Sequence, residues 1–227
     1  MSTILYFAAI LLCIISLLLS FIVKKTFRKQ SRFEVRSQMS GAETAAAILR
    51  LQGIFDVRIA EVGGELNDHY DPKGKVIALS SEVFQKSSIA AVAVAAHECG
   101  HAVQDRQGYF PAQLRSAIVP AANFGSRFGI ILFSVGILLS YFVRSTLVMD
   151  IGILLFSFAV LFELVTLPVE LNASRRAMNI LKKQGFLTGS ELSGARKMLF
   201  AAAMTYVAAS AQSVVQLLRL LAVRDRK

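Results

Sequence analysis

An apolar run at the start of the chain constrains the fold more than any other feature. Residues 2–23 carry no charged side chain, and about 22 apolar residues in a helix can cross a hydrocarbon core roughly 30 Å thick. A cleaved signal peptide has basic residues before its apolar run and a small-residue cleavage site after it. Here the basic cluster follows the run, so we expect an uncleaved transmembrane anchor at 1–23.

Two further apolar segments, 117–143 and 147–169, predict a transmembrane helical hairpin. Arg127 interrupts the first segment, and Asp150 and Glu163 interrupt the second. The three residues between the segments allow only a turn, so the second helix must return the chain to the side it left. A hydrophobic content of 55% and a mean hydropathy of +0.56 also favour a membrane protein.

The last apolar segment, 198–223, is ambiguous. It is long enough to span, yet it contains several polar residues and ends in the basic tail 224–227. These features favour a buried or interfacial helix, with a fourth span as the alternative. The chain is therefore expected to be a mainly α integral membrane protein with three to four transmembrane helices.

Lysine and arginine are concentrated after the first and third apolar segments, whereas the hairpin tip carries only Arg144. Cytoplasmic flanks of membrane helices are rich in these residues, so the N-terminus is expected outside and residues 24–116 in the cytoplasm. This topology and contact with anionic lipid account for the net charge of +10. No aromatic and basic nucleic-acid module is visible, which excludes a nucleic-acid partner.

The region 24–116 is polar enough to fold in water and is expected to hold the chemistry. Residues 41–50 read as a helix and 57–60 as a short strand. The turn at 71–74 joins two alternating runs, 66–70 and 75–80, into a predicted β-hairpin.

The motif His97-Glu98-Cys99-Gly100-His101 carries the strongest chemical signal. It follows an Ala-rich run without Gly or Pro, 87–96, so it is expected on a helix. Two histidines four residues apart then share a face and can bind one divalent metal. In this zincin arrangement the metal polarises a carbonyl and acidifies a water, and the carboxylate takes the proton of that water. The alternative is a buried helix with two hydrogen-bonded histidines.

The small residues Cys99 and Gly100 lie off the histidine face and predict close approach of a neighbouring helix. The two cysteines of the chain, Cys13 and Cys99, make no disulfide framework, so a reducing compartment is allowed.

A catalytic zinc normally takes three protein ligands, and the third must come from outside the motif. Glu163 and Glu170 are the candidates, and Glu170 is preferred because it follows Pro168 outside the apolar segment. Thr166 is expected to cap a helix that starts there. Glu163 can instead be an interfacial carboxylate paired with a basic side chain. Two residues that follow Glu170 in the chain, Asn172 and Ser174, are expected to contact the ligands.

Stabilisation of a developing oxyanion requires a hydrogen-bond donor near the metal. His69 and Tyr70 are the candidates, although both could simply pack as strand and turn residues. Arg175 and Arg176 are alternatives that more commonly bind lipid headgroups.

Segments spread over nearly the whole chain resemble the YugP-type family of bacterial membrane zinc metalloproteases. The matching segments are 68–72 (DHYDP), 77–80 (IALS), 94–104 (VAAHECGHAVQ) and 167–177 (LPVELNASRRA). More distantly the chain is similar to the HtpX and CAAX-prenyl endopeptidases. The resemblance implies a gluzincin-like core with a small β-sheet, with His97, His101 and Glu170 on zinc and Glu98 as the base. Ser174 stands where those distant relatives have an aspartate.

The sequence thus predicts five segments: an anchor (1–23), the cytoplasmic part of the catalytic domain (24–116), a transmembrane hairpin (117–169), a helix with the third ligand (170–197) and a C-terminal apolar helix (198–227). The favoured function is a zinc endopeptidase of the bacterial plasma membrane that cuts membrane-associated or misfolded proteins at the cytoplasmic face. One alternative is a site-2-type intramembrane protease, which would need a longer apolar run before His97. The other is a membrane scaffold with a structural metal, which would have no use for Glu98.

Overall fold

The computed structural model describes residues 2–226, within which there are seven helices and three strands. The helices are α1 (Ser2–Gln30), α2 (Gly41–Leu51), α3 (Ser81–Gln85), α4 (Ile89–Arg106), α5 (Phe110–Val143), α6 (Leu147–Lys183) and α7 (Gly189–Arg224). The strands are β1 (Arg58–Val62), β2 (His69–Asp71) and β3 (Val76–Ser80). The chain divides into two compact units, a helical unit (residues 1–18, 110–168 and 205–227) and a mixed unit (19–109 and 169–204).

Four helices, α1, α5, α6 and α7, are long and apolar enough to cross a membrane. The expectation of a mainly α membrane protein with three to four spans and a small sheet is confirmed. The helix α7 is long and apolar enough to cross, like the other three, so the number of candidate spans is four, the upper end of that expectation.

The hairpin of the helical unit consists of α5 and the first part of α6, joined at residues 144–146 as the sequence predicts. A Cβ on Gly125 would overlap the carbonyl oxygen of Leu155, so the two helices approach within backbone contact there. Small residues allow such approach between helices in a membrane. Further along, Phe133, Met149 and Phe156 form a buried apolar cluster.

An ion pair joins α6 and α7 within the helical unit. The guanidinium of Arg224 donates from Nε to Asp150 Oδ1 at 2.8 Å and from Nη2 to Oδ2 at 3.3 Å. The C-terminal end of α7 therefore lies beside the start of α6, and α7 runs antiparallel to it. Because Asp150 partly neutralises the basic tail, that tail is a weaker argument against a fourth span than the sequence suggests.

The helix that carries Glu170 does not begin near Pro168, contrary to the sequence-based expectation. It is continuous from Leu147 to Lys183, with Pro168 inside it. Thr166 is therefore not an N-cap; it is a buried helical residue whose side-chain oxygen has no hydrogen-bond partner. Proline removes a single backbone bond, whereas ending a helix exposes several backbone groups that lipid cannot satisfy.

The sheet of the mixed unit has the order β1-β3-β2, with β1 parallel and β2 antiparallel to β3. The predicted hairpin is confirmed as the β2–β3 pair, in which His69 faces Ala78 and Tyr70 faces Ile77. The strand β2 has only three residues, and Leu66, three residues before its start, adopts a left-handed φ of 60°. Both β1 and β2 are edge strands, so each leaves one row of backbone groups unpaired within the sheet.

The core of the mixed unit is built around α4, which packs on α2, on β2 and β3, and on α3. The Ser40 hydroxyl and the Glu43 carboxylate cap α2 reciprocally, which fixes its start. Ile48, Ile77 and Leu79 are fully buried in this core. The predicted helices at 41–50 and around the motif are both confirmed.

Candidate metal centre

The motif lies in the middle of α4, which is buried on nearly all sides. The Ser88 hydroxyl accepts the backbone N–H of Ala91 at 3.2 Å and caps the helix. Almost every residue from Ile89 to Gln104 is buried, and Ala, the commonest of them, lets neighbouring elements approach closely. The buried helix holds the side chains of His97 and His101 in fixed positions, one turn apart on one face.

Two neighbours approach α4 at its small residues, as the sequence predicts. A Cβ on Gly100 would lie 2.6 Å from the carbonyl oxygen of Ala173, so α6 contacts α4 backbone to backbone at this point. On another side, Cys99 Sγ lies 3.7 Å from the carbonyl oxygen of Ala45 in α2. The contact at Gly100 brings the helix segment with Glu170 against the two histidines.

His97, His101 and Glu170 form a compact group of ligand atoms that all lie within 4.8 Å of one another. Glu170 Oε2 is 3.2 Å from His97 Nε2 and 3.5 Å from His101 Nε2. Zinc bonds these atoms at about 2.0–2.2 Å, and tetrahedral ligands on such an ion are roughly 3.3–3.4 Å apart. The separations therefore fit one zinc ion held by two imidazoles and a carboxylate.

The second nitrogen of each imidazole has its own partner. His97 Nδ1 lies 3.1 Å from the Ser174 hydroxyl, and His101 Nδ1 lies 3.0 Å from the Gln104 side-chain oxygen. Partners of this kind fix the tautomer and the ring orientation of metal-binding histidines. Both Nε2 atoms are thereby directed toward Glu170, which is the arrangement that a cation between the three groups requires.

Glu98 is 6% exposed and directly follows His97, the first histidine of the motif. Burial raises the pKa of its carboxyl to about 7, the negative charges of Glu170 and Asp68 act in the same direction, and His97 opposes them. A general base is most effective when its pKa is near the working pH. Glu98 has the environment of such a base, and its carboxyl interacts electrostatically with His97 and Glu170.

His69 and Tyr70 are adjacent on β2 but have different surroundings. His69 is exposed, and its Nδ1 lies 2.8 Å from the Asn67 carbonyl oxygen. A positive charge on His69 acts to lower the pKa of Glu98. The Tyr70 side chain is buried and its hydroxyl donates to Asp105 Oδ2 at 2.7 Å. Asp105 also accepts from Lys75, so it ties the β-hairpin to the C-terminal turn of α4.

Glu163 is half-buried in the helical unit, where its backbone oxygen accepts a hydrogen bond from Ser210. It is not part of the three-residue group found among residues 2–226. Asn172 Oδ1 accepts from Gln104 and from Arg176, while Arg175 is exposed.

Sequence reasoning assigned no role to three polar residues of the mixed unit: Gln104, Asp105 and Asp68. Asp68 accepts from the backbone N–H and the hydroxyl of Ser80, which fixes the loop before His69. Gln104 follows His101 by three residues and His97 by seven, so it shares the histidine face. Its position as a polar residue on the histidine face of an otherwise apolar helix is the sequence feature that could have identified Gln104.

A sequence profile of a family described as "Putative neutral zinc metallopeptidase" matches residues 5–225. The chain is also 47% identical over 199 residues to a Bacillus subtilis (strain 168) protein named "Putative membrane protease YugP". The alignment covers 88% of this chain and 87% of that relative. No solved structure shows a significant match.

Proposed function

The chain belongs to the neutral zinc metallopeptidase family, and from that premise we propose that it is a membrane-embedded, zinc-dependent endopeptidase. The observation that carries the proposal is the spacing of the three ligand atoms, 3.2 and 3.5 Å from the carboxylate to the two imidazoles, beside a buried glutamate. A site built only for structure would close the fourth position with another ligand. Here the neighbouring group is Glu98, a base.

We assign His97, His101 and Glu170 as ligands of zinc. When bound, zinc polarises the peptide carbonyl and lowers the pKa of a water. Glu98 accepts the proton of the attacking water and passes it to the leaving amine, which its raised pKa favours. The ligand helices hold these groups rigidly, so little reorganisation is needed during the reaction.

His69 is the candidate donor to the oxyanion. Its Nδ1 faces the Asn67 carbonyl, which can only accept, so Nδ1 carries a proton. Nε2 then donates only when the ring is doubly protonated, and in that form its positive charge adds to the stabilisation. The Tyr70 hydroxyl is already used on Asp105, and we assign Tyr70 to holding β2 on α4.

The substrate form that we favour is an extended peptide. The strand β2 is an edge strand that contacts α4, and an added peptide strand can pair with the free backbone groups of such an edge. Because this pairing reads the backbone, it favours unfolded or loosely folded segments. We propose that the substrates are membrane-associated or misfolded proteins.

We place the site at the cytoplasmic face of the bacterial plasma membrane. The last turns of α1 and α6 carry Arg28, Lys29, Lys182 and Lys183, and basic residues mark cytoplasmic ends of membrane helices. The apolar helices make the lipid bilayer the second partner of the protein.

Cleavage of casein, an unfolded protein, tests the proposal when zinc is measured in the same samples. We expect the purified wild type and Glu98→Gln to contain one zinc each and only the wild type to cleave. Zinc in both proteins without cleavage by either would support a metal-bearing scaffold instead. Equal cleavage by both would remove Glu98 from the mechanism.

A further inference from the structure

Gln104 is a fully buried amide that joins the metal helix to the helix of the third ligand. Its Oε1 lies 3.0 Å from His101 Nδ1. Its Nε2 donates to the Val169 carbonyl oxygen at 2.8 Å and to Asn172 Oδ1 at 3.0 Å. The amide therefore uses its acceptor on α4 and both of its donors on α6.

The polarity of each partner fixes the orientation of this amide. The Val169 carbonyl can only accept, so the NH₂ group of Gln104 must face it and the oxygen must face His101. Arg176 can only donate, and its Nε lies 2.6 Å from Asn172 Oδ1. The oxygen of Asn172 is thereby also fixed, and it faces the NH₂ group of Gln104.

This orientation determines the tautomer of His101. An amide oxygen facing Nδ1 requires a proton on Nδ1, so the neutral ring carries a lone pair on Nε2. Nε2 lies 3.5 Å from Glu170 Oε2. With the proton on Nε2 instead, His101 could donate to Glu170, and that hydrogen bond would compete with a metal ion for both ligands.

We propose that Gln104 is a positioning residue that holds His101 in the tautomer with Nδ1 protonated and so keeps Nε2 open for the metal. This inference rests on the proposed function, because it assumes that zinc binds at His101 and Glu170. It extends that function by adding a residue that touches neither metal nor substrate. Buried hydrogen bonds supply the free energy that favours this tautomer, because a buried polar group without a partner destabilises the fold.

Gln104→Met tests the proposal, because methionine has a similar size and shape but no acceptor for Nδ1. Zinc affinity is measured by competition with a chromophoric chelator at about pH 8, where imidazoles are mostly neutral. Loss of a residue that orients a ligand typically weakens metal binding about 10–100-fold, and we expect a loss in that range. Gln107→Met is the matched control, because Gln107 also bonds to α6, through Arg176 Nη1, but contacts neither histidine.

Gln104→Glu separates the orienting role from a simple tether between helices. Its carboxylate still accepts from His101 Nδ1 but cannot donate to Val169 or Asn172. We expect a smaller loss of zinc affinity than with Gln104→Met. An equal loss in both variants would assign Gln104 to tethering and overturn the proposal.

The tautomer itself is read by ¹⁵N–¹H correlation of the imidazole rings in the metal-stripped protein, independently of activity. We expect the His101 proton on Nδ1 in the wild type and Gln104→Glu, and on Nε2 in Gln104→Met. A wild type with the proton on Nε2 would overturn the proposal even if no variant folded. Wild-type zinc affinity in Gln104→Met would also overturn it, whereas a wild type that binds no zinc would overturn the proposed function itself.

Discussion

The buried carboxyl of Glu98 should make the stability of the metal-stripped protein depend on pH. Burial raises the pKa of Glu98 from 4.5 to about 7 in the folded chain, whereas the unfolded chain keeps the ordinary value. Between these two values the unfolded state has released a proton that the folded state still holds. The free energy of unfolding therefore falls as pH rises from 4.5 to 7 and levels off above 7.

Glu98→Gln removes this penalty, since glutamine is neutral at every pH. With the two pKa values above, ionisation of Glu98 costs the folded state about 1 kcal/mol at pH 5 and about 3 kcal/mol at pH 8. The variant should therefore gain roughly 2–3 kcal/mol of stability relative to the wild type between pH 5 and pH 8. For a chain of this length that corresponds to about 5–10 °C in Tm.

Thermal unfolding of both proteins in detergent, after zinc removal by a chelator, measures this gain. The quantity compared is the Tm of Glu98→Gln minus the Tm of the wild type, measured at pH 5 and again at pH 8. An effect of the amide that does not depend on pH adds equally to both differences and therefore cancels. Glu61→Gln is the control, because Glu61 is exposed on β1 and its side chain accepts a hydrogen bond from the exposed Gln85; its Tm should track that of the wild type. If Glu98→Gln also tracks the wild type, the raised pKa is wrong and the argument for Glu98 as a poised base loses its support.

Three further predictions follow from the site. Glu170→Ala should lose zinc, measured by metal analysis, because it removes a ligand, whereas Glu163→Ala should keep it; equal loss would refute the ligand assignment. His69→Ala should lower kcat for casein about 10-fold or more at full zinc content, and loss of zinc instead would make His69 a structural residue of the site. Gly100→Ala should cost about 1–3 kcal/mol of stability and weaken zinc binding, because its Cβ would lie 2.6 Å from a backbone oxygen of α6. Gly63→Ala, with nothing near its Cβ, is the control, and equal behaviour of the two glycine variants would contradict the close contact.

Features that depend on local pattern were predictable from the sequence. The spans follow from hydropathy, the β-hairpin from its turn residues, and the metal helix from an uninterrupted Ala-rich run. Histidines four apart must share a face on any helix, so their convergence needed no tertiary information. The small residues Cys99 and Gly100 indicated a close helix contact, but they did not indicate which helix would make it.

Features that depend on distant partners were not predictable from a single sequence. Hydrogen bonds of buried amides follow no fixed spacing, so the partners of Gln104 on α6, Val169 and Asn172, could not be predicted from its position on α4. Asp105 is joined to β2 across 35 residues by the Tyr70 hydroxyl. Pro168 suggested a helix start, yet the helix continues through it, because the cost of one lost backbone bond is smaller than that of exposed helix ends.

Zinc K-edge X-ray absorption on the purified protein tests most directly whether His97, His101 and Glu170 form the metal centre. The expected spectrum shows four nitrogen or oxygen ligands at about 2.0–2.2 Å, with multiple scattering from two imidazoles. Glu170→Ala should lose or alter this signal, and Glu163→Ala should preserve it. A sulfur ligand, a single imidazole or a six-oxygen shell in the wild type would contradict the assignment on which the proposed peptidase mechanism depends.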